Sequence, residues 1–208
     1  MPIALPGKSL EKCRTFQMDL AKRVFMAARI VILNGVGSVG KTSIAKALQD
    51  ITTTPFLHVS MDVFCEMLPP AYFDHPEGMR FVTEESGGKP SVVIHSGPVM
   101  GRLMDGMRHA IAALAASGND LLVDDVMLGD EPDEYRRLLS PYQMYWVGVK
   151  ASLEVLEARE KSRGDRLIGL ARWQFDRVHA GRTYDLEIDT GEITAKAAAA
   201  LIKERFRL

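Results

Sequence analysis

The stretch from Gly35 to Thr42, GVGSVGKT, constrains this chain more than any other part of it. It fits G-x-x-x-x-G-K-[ST], and its flanks are what that pattern needs. Ahead of it, residues 28–33 (ARIVIL) form a short apolar run that reads as a buried strand. Behind it, residues 42–49 (TSIAKALQ) read as a helix. In a strand–loop–helix unit of this kind the glycines let backbone N–H groups converge on phosphate oxygens. The lysine neutralises the outer phosphates, and the hydroxyl after it is placed to hold Mg²⁺. The helix N-terminus adds partial positive charge. The expected binding set is Gly35, Val36, Gly37, Ser38, Val39, Gly40, Lys41, Thr42 and Ser43, with ATP and Mg²⁺ as the implied ligands.

Strand-like runs alternate with helical ones along the rest of the chain. Residues 29–33, 56–61, 121–123, 144–149 and 185–189 read as five strands. Helices are expected near 42–50, 99–116, 131–139, 152–162, 167–180 and 192–206. The clearest periodicity is Met100, Met104, Met107, Ala110, Ile111 and Leu114. Near-continuous apolar strands that alternate with helices imply a parallel sheet covered on both faces. In such sheets ligands bind beyond the carboxyl ends of the strands. That rule gathers the loop at 35–42, Asp62 and Asp124-Asp125, which are far apart in sequence.

Each member of that cluster has a chemical reading. Residues 121–125 (LLVDD) end an apolar strand on two carboxylates, as a Walker B element does. Asp124 is the expected Mg²⁺ partner alongside Thr42, and Asp125 is left to face the acceptor. Asp62, just past the second strand, is placed to take an acceptor hydroxyl's proton, and it also suits the N-cap of a helix over 63–67. Residues 157–166 (EAREKSRGDR) carry Arg159 and Arg163 on one helical face, a break at Gly164, and Arg166 in the turn. Guanidinium groups match phosphate oxygens, so residues 157–168 read as a basic lid that excludes water. Residues 69–98 hold five prolines and four glycines and read as a long excursion that covers the substrate.

Bulk properties narrow the class. The 208 residues set a single domain as the default. Lys plus Arg number 26 against 27 Asp plus Glu, a formal net charge of -1. That balance argues against nucleic acid or a membrane surface as partner. The two cysteines, Cys13 and Cys65, show no metal-like spacing, and a reducing cytoplasm is the natural setting. No run approaches the ~18 apolar residues needed to span a bilayer. Residues 9–27 read as an amphipathic helix, and Glu11 and Asp19 favour packing within the molecule over membrane anchoring. The sequence has no Asn-Lys-x-Asp guanine-reading motif and no Leu-Ser-Gly-Gly-Gln run, and it is too short for paired motor domains.

The ordered blocks at 30–42, 61–64 (MDVF), 121–129 (LLVDDVMLG), 145–149 (YWVGV), 159–166 (REKSRGDR) and 184–190 (YDLEIDT) resemble chloramphenicol phosphotransferase. The resemblance spans about residues 29–190. Residues 1–28 lie outside it as an N-terminal helical extension, and no block falls in 69–98. It implies ATP-dependent phosphorylation of a small molecule's hydroxyl, with chloramphenicol or a related antibiotic as acceptor and resistance as the outcome. It also implies Asp62 as catalytic base, Lys41 and Thr42 on phosphate and Mg²⁺, and Arg163 and Arg166 near the transferred group. Adenine is then expected near Arg159 and residues 189–191. The expected fold is α/β, a three-layer P-loop kinase with a central parallel five-stranded sheet in the order 2-3-1-4-5, over residues 1–208. Three other readings remain. One is a metabolite kinase similar to the shikimate or gluconate enzymes, and another is a nucleotide-binding regulatory module without an acceptor. A polynucleotide end kinase is disfavoured by the near-zero charge.

Overall fold

In chain order the elements are β1 (Arg29–Asn34), α1 (Lys41–Ile51), β2 (Phe56–Ser60), α2 (Met61–Cys65), β3 (Met79–Ser86), β4 (Lys89–Ser96), α3 (Pro98–Ala116), β5 (Asp120–Asp125), α4 (Glu131–Leu138), β6 (Gln143–Lys150), α5 (Leu153–Arg163), α6 (Leu170–Val178), β7 (Leu186–Asp189) and α7 (Ala195–Phe206). The computed structural model describes residues 28–164 and 167–208. The helix expected over 9–27 and the lid residue Arg166 lie outside the described residues.

β1 is buried on both faces, so it must sit at the middle of a covered sheet. It pairs in parallel with β5 through Ile30–Leu121 to Asn34–Asp125, and with β6 through Arg29–Gln143 to Asn34–Gly148. β2 and β7 complete the sheet in the order β2-β5-β1-β6-β7. This is the expected 2-3-1-4-5 once the two unanticipated strands β3 and β4 are set apart. Alternate residues of β1 supply the two cores. Val31 and Leu33 pack with Ile44 and Leu48 of α1, Ala171 and Val178 of α6, and Ala198 and Ile202 of α7. Ile30 and Ile32 pack with Met107 and Ile111 of α3 and with Tyr135 of α4. Ile44 and Leu48 are fully buried, and each such side chain stabilises the fold by about 1.5–3 kcal/mol. Their burial fixes the axis of α1, and so aims its N-terminus.

Residues 69–98 are not an irregular excursion. A 3₁₀ turn over Pro70–Tyr72 leads into an antiparallel hairpin of β3 and β4, which form their own two-stranded sheet. The turn is Gly87-Gly88, with φ of +61° and +73°. Two consecutive left-handed residues make the tight turn that suits the twist of a hairpin, and glycine adopts them without a steric penalty. The hairpin lies over a third apolar cluster built from Leu68, Met79 and Met100, with Phe81, Ile94 and Cys65 packed against it. Cys65 is thus a packing residue, as its type suggests.

The crest of the sheet is braced from below. Asn34, at the end of β1, accepts the Met127 N–H at 2.9 Å and donates to Val178 O at 3.1 Å and to Tyr184 Oη at 2.8 Å. Tyr184 in turn lies 2.8 Å from His179 Nδ1. Burial lowers the His179 pKa, the Lys150 charge lowers it further, and Glu187 opposes them only in part. The folded chain therefore declines a proton that the unfolded chain accepts. Stability from this brace is present above about pH 6.5 and falls as pH drops through that value, with at most one proton's slope. Thermal melts between pH 5 and 8 should show a flatter acid limb for His179→Gln than for the parent chain. Parallel limbs would remove His179 from the account.

Candidate functional site

The loop between β1 and α1 is shaped by its neighbours. A Cβ on Gly35 would meet Val149 O at 2.3 Å, so only glycine lets the loop pass this close to β6. Ser38 and Gly40 take φ of +64° and +101°, which turns the chain tightly into α1. Gly37 to Ser43 line a cavity of about 550 Å³. Gly35 and Val36, expected to be part of the binding surface, lie behind it and are buried. Their carbonyls accept hydrogen bonds from Lys41 Nζ at 2.8 and 3.1 Å. Lys41 is only 7% exposed, and its ammonium also lies 3.7 Å from Asp124 Oδ1.

Thr42 Oγ1 donates to Asp124 Oδ2 at 2.7 Å, which brings together the two groups that the sequence paired across 82 residues. His58 Nε2, which sequence reasoning passed over, sits 3.5 Å from the same oxygen. Burial pushes the Asp124 carboxyl up, but His58, the Lys41 charge and the Thr42 hydroxyl together outweigh it and hold it below its ordinary value. Asp124 is therefore ionised at neutral pH, in a place where a bare carboxylate would be costly. Asp125 does not face an acceptor. Its Oδ2 accepts from Tyr135 Oη at 2.8 Å and its Oδ1 from the Val126 N–H at 2.7 Å. Burial raises the Asp125 pKa against the lowering effect of the Tyr135 hydrogen bond, and burial followed by the Asp125 carboxylate raises that of Tyr135 well above its ordinary value.

Asp62 lies in the first turn of α2 and lines the same cavity as the loop and Asp124. The N-cap is Ser60, so Asp62 is not the cap that its position suggested. Beyond Asp62 the cavity wall is apolar: Met61 and Cys65 from α2, Phe73, then Met79, Phe81 and Ile94 from the hairpin. Met127 and Leu128, just past β5, do not line it. Met127 is fully buried in the core behind β5, and Leu128 packs against the opposite cluster; Val126 takes their place at the cavity. Val63 points outward and is 57% exposed.

The basic helix divides its arginines between two tasks. Arg159 donates to Thr190 Oγ1 at 2.9 Å, to Thr190 O at 2.7 Å and to Val39 O at 3.3 Å, which clamps the segment after β7 to the loop. Arg159, Thr190 and Ile193 to Ala195 line one end of the cavity. Arg163, one turn further along, lines the cavity as well, and α5 ends at the left-handed Gly164 as the sequence indicates. Glu160 is not part of a solvated charged face. It is 3% exposed, and its carboxylate accepts from Gly169 N and Ala171 N at 2.8 Å each, which caps α6. Gln174 of α6 was also missed; its Oε1 accepts the Gly37 N–H at 2.8 Å.

Comparison with known proteins gives the family and the fold. Residues 28–207 match the family of chloramphenicol phosphotransferase-like proteins. The chain is 31% identical over 185 residues to the Mycobacterium tuberculosis protein named "Putative O-phosphotransferase Rv2636", covering 86% of this chain and 82% of that one. Among solved structures, a sugar kinase from Janibacter sp. HTCC2649 superposes with a TM-score of 0.61 at 16% identity, covering 86% of this chain and 95% of that one. The M. tuberculosis APS kinase, solved with AMPPNP and APS, gives a TM-score of 0.60 at 14% identity, with 88% and 99% covered. At such identities these two structures speak for the fold alone. The family match spans the loop, the strand-end carboxylates and the arginine helix together, so the chain belongs to the chloramphenicol phosphotransferase-like family and is a small P-loop kinase.

Proposed function

We propose that this protein transfers the γ-phosphoryl group of ATP to a hydroxyl of a small, partly apolar alcohol, with chloramphenicol or a related antibiotic as the leading acceptor. One observation carries the reading. A single cavity holds the phosphate-type loop and Asp124 at one side, Asp62 beside them, and an apolar wall beyond. A module that only bound nucleotide would need neither Asp62 there nor the wall. The residues present fit Mg²⁺, which uses one or two protein oxygens and completes its shell from phosphates and water. Thr42 and ionised Asp124 would hold it. The chemistry it would supply there is neutralisation of phosphate charge.

The protein's own groups then divide the work. Loop amides and Lys41 hold the outer phosphates. Asp62 accepts the acceptor's hydroxyl proton as that oxygen bonds to the γ-phosphorus and the bond to the β-phosphate oxygen breaks, releasing ADP. Arg163, with Arg166, closes on the migrating group and stabilises its charge. The Arg159–Thr190 end receives the base. Residues 69–98 cover the acceptor: Phe73, Met79, Phe81 and Ile94 suit an aromatic alcohol better than a polyhydroxylated sugar. Phosphorylating an antibiotic in this way would make the protein a resistance enzyme of the cytoplasm.

Acceptor-stimulated ADP release tests this. With Mg²⁺ and ATP, aromatic primary alcohols including chloramphenicol should stimulate release well above sugar acids and simple polyols. Stimulation by sugar acids alone would make the protein a metabolite kinase. Tight nucleotide binding with no stimulation by any alcohol would leave a regulatory module.

A further inference from the structure

The Gln174 carboxamide joins the phosphate-type loop to the acceptor side of the cavity, and no motif pointed to it. Gln174 is 3% exposed and lines the cavity. Its Oε1 accepts the Gly37 N–H at 2.8 Å. Because an N–H can be met only by the oxygen, this bond fixes which way the carboxamide faces. The Nε2 is then turned to the other side, and among the described residues it has no hydrogen-bond partner. Among the described residues, the buried side-chain atoms without a partner are His58 Nε2, His179 Nε2 and Arg182 Nε; Gln174 Nε2 is instead open to the cavity it lines, where water meets it until a ligand oxygen replaces that water.

Packing around α6 says which part of the ligand that is. The N-terminus of α6 is held by Glu160 through Gly169 and Ala171. The same turn touches the hairpin: the Val92 N–H donates to Gly169 O at 3.0 Å, and a Cβ on Gly169 would meet Pro90 O at 2.5 Å. Ala171, Gln174 and Val178 form the buried stripe of the helix. Gln174 therefore stands between the loop at Gly37 and the hairpin that walls the acceptor side. The base end, at Arg159 and Thr190, is fastened to Val39 instead.

We propose that Gln174 is a substrate-contacting residue whose Nε2 donates a hydrogen bond to an oxygen of the terminal, transferable phosphoryl group while its Oε1 holds the Gly37 peptide. The proposal rests on the phosphotransferase reading above. It makes Gln174 a sensor of the third phosphate, coupled to the loop by one side of its carboxamide and to the ligand by the other.

The test compares ADP with the imido analogue of ATP by calorimetric titration in Mg²⁺, in the full chain and in Gln174→Met and Gln174→Glu. Either change disturbs the Gly37 peptide or its partner for both nucleotides alike, so the readout is the ratio of the two affinities. A hydrogen bond to a charged group carries roughly a tenfold to a hundredfold effect. Both variants should lose affinity for the triphosphate analogue relative to ADP by that order, with Gln174→Glu the more severe because its carboxylate repels phosphate. An unchanged ratio in Gln174→Met, whatever Gln174→Glu does, would show a purely structural tether and overturn the proposal. Failure of the parent chain to bind either nucleotide would instead overturn the phosphotransferase reading itself.

Discussion

Asp62→Asn should bind nucleotide as the parent chain does and transfer phosphoryl about 10²- to 10⁴-fold more slowly, the usual range for loss of a positioned general base. The substitution keeps size and hydrogen-bonding reach but removes the site that takes the proton. Asp62 sits in the first turn of a five-residue helix whose N-cap position is held by Ser60. Two measurements separate the outcomes. Titration with the imido analogue should give a dissociation constant within about twofold of the parent value, because the carboxylate is assigned to the acceptor and not to the nucleotide. Initial rates of acceptor-dependent ADP release should show the loss in kcat with little change in KM for ATP. A variant with parental kcat would strike Asp62 from the chemistry and move the search for the base elsewhere.

Lys41→Met should cost both affinity and rate. Lys41 is nearly buried, hydrogen-bonded to Gly35 O and Val36 O, and 3.7 Å from Asp124. Its charge is thus already desolvated and confined to the place where phosphate charge must be met, where electrostatic contacts are strong. Loss of one preorganised donor of this type slows chemistry by roughly 10² to 10³, or about 2.7–4 kcal/mol. The prediction is weaker nucleotide binding, read by titration with the imido analogue, together with that loss in kcat. Parental binding and a parental kcat would refute the assignment of the loop.

Much of the sheet was legible because its signal is local. The apolar runs at 29–33 and 121–123 are too short and too continuous to be anything but buried strands, and the strand-end rule brought Thr42 to Asp124 before any coordinates did. The hairpin was hidden by its own punctuation. Gly87-Gly88 is a strong turn signal between two strand-like runs, but Pro90 and the surrounding prolines and glycines made the whole stretch look irregular. Position 90 lies in a two-stranded ribbon, where a missing N–H is tolerated. Asp125 was misplaced because a strand alternates faces, and one residue decides whether a side chain meets the cavity or the core. Gln174 was missed because a polar residue in a helix reads as solvated. Its spacing from Ala171 and Val178, on the apolar stripe, was the available sign that it points inward.

The hairpin has a consequence for how this protein can change. β3 and β4 bond to each other, not to the five-stranded sheet, and reach the rest of the molecule through Leu68 and Met100 below, the Val92–Gly169 hydrogen bond to the start of α6, and the Lys89–Glu157 ion pair to α5. Phe81 and Ile94 can therefore be exchanged for other side chains without moving Lys41, Thr42 or Asp124. On the proposed function, the choice of alcohol would reside in a separate ribbon and the phosphoryl-transfer groups in the sheet. Mutations that retarget such a protein should accumulate in the first and leave the second intact.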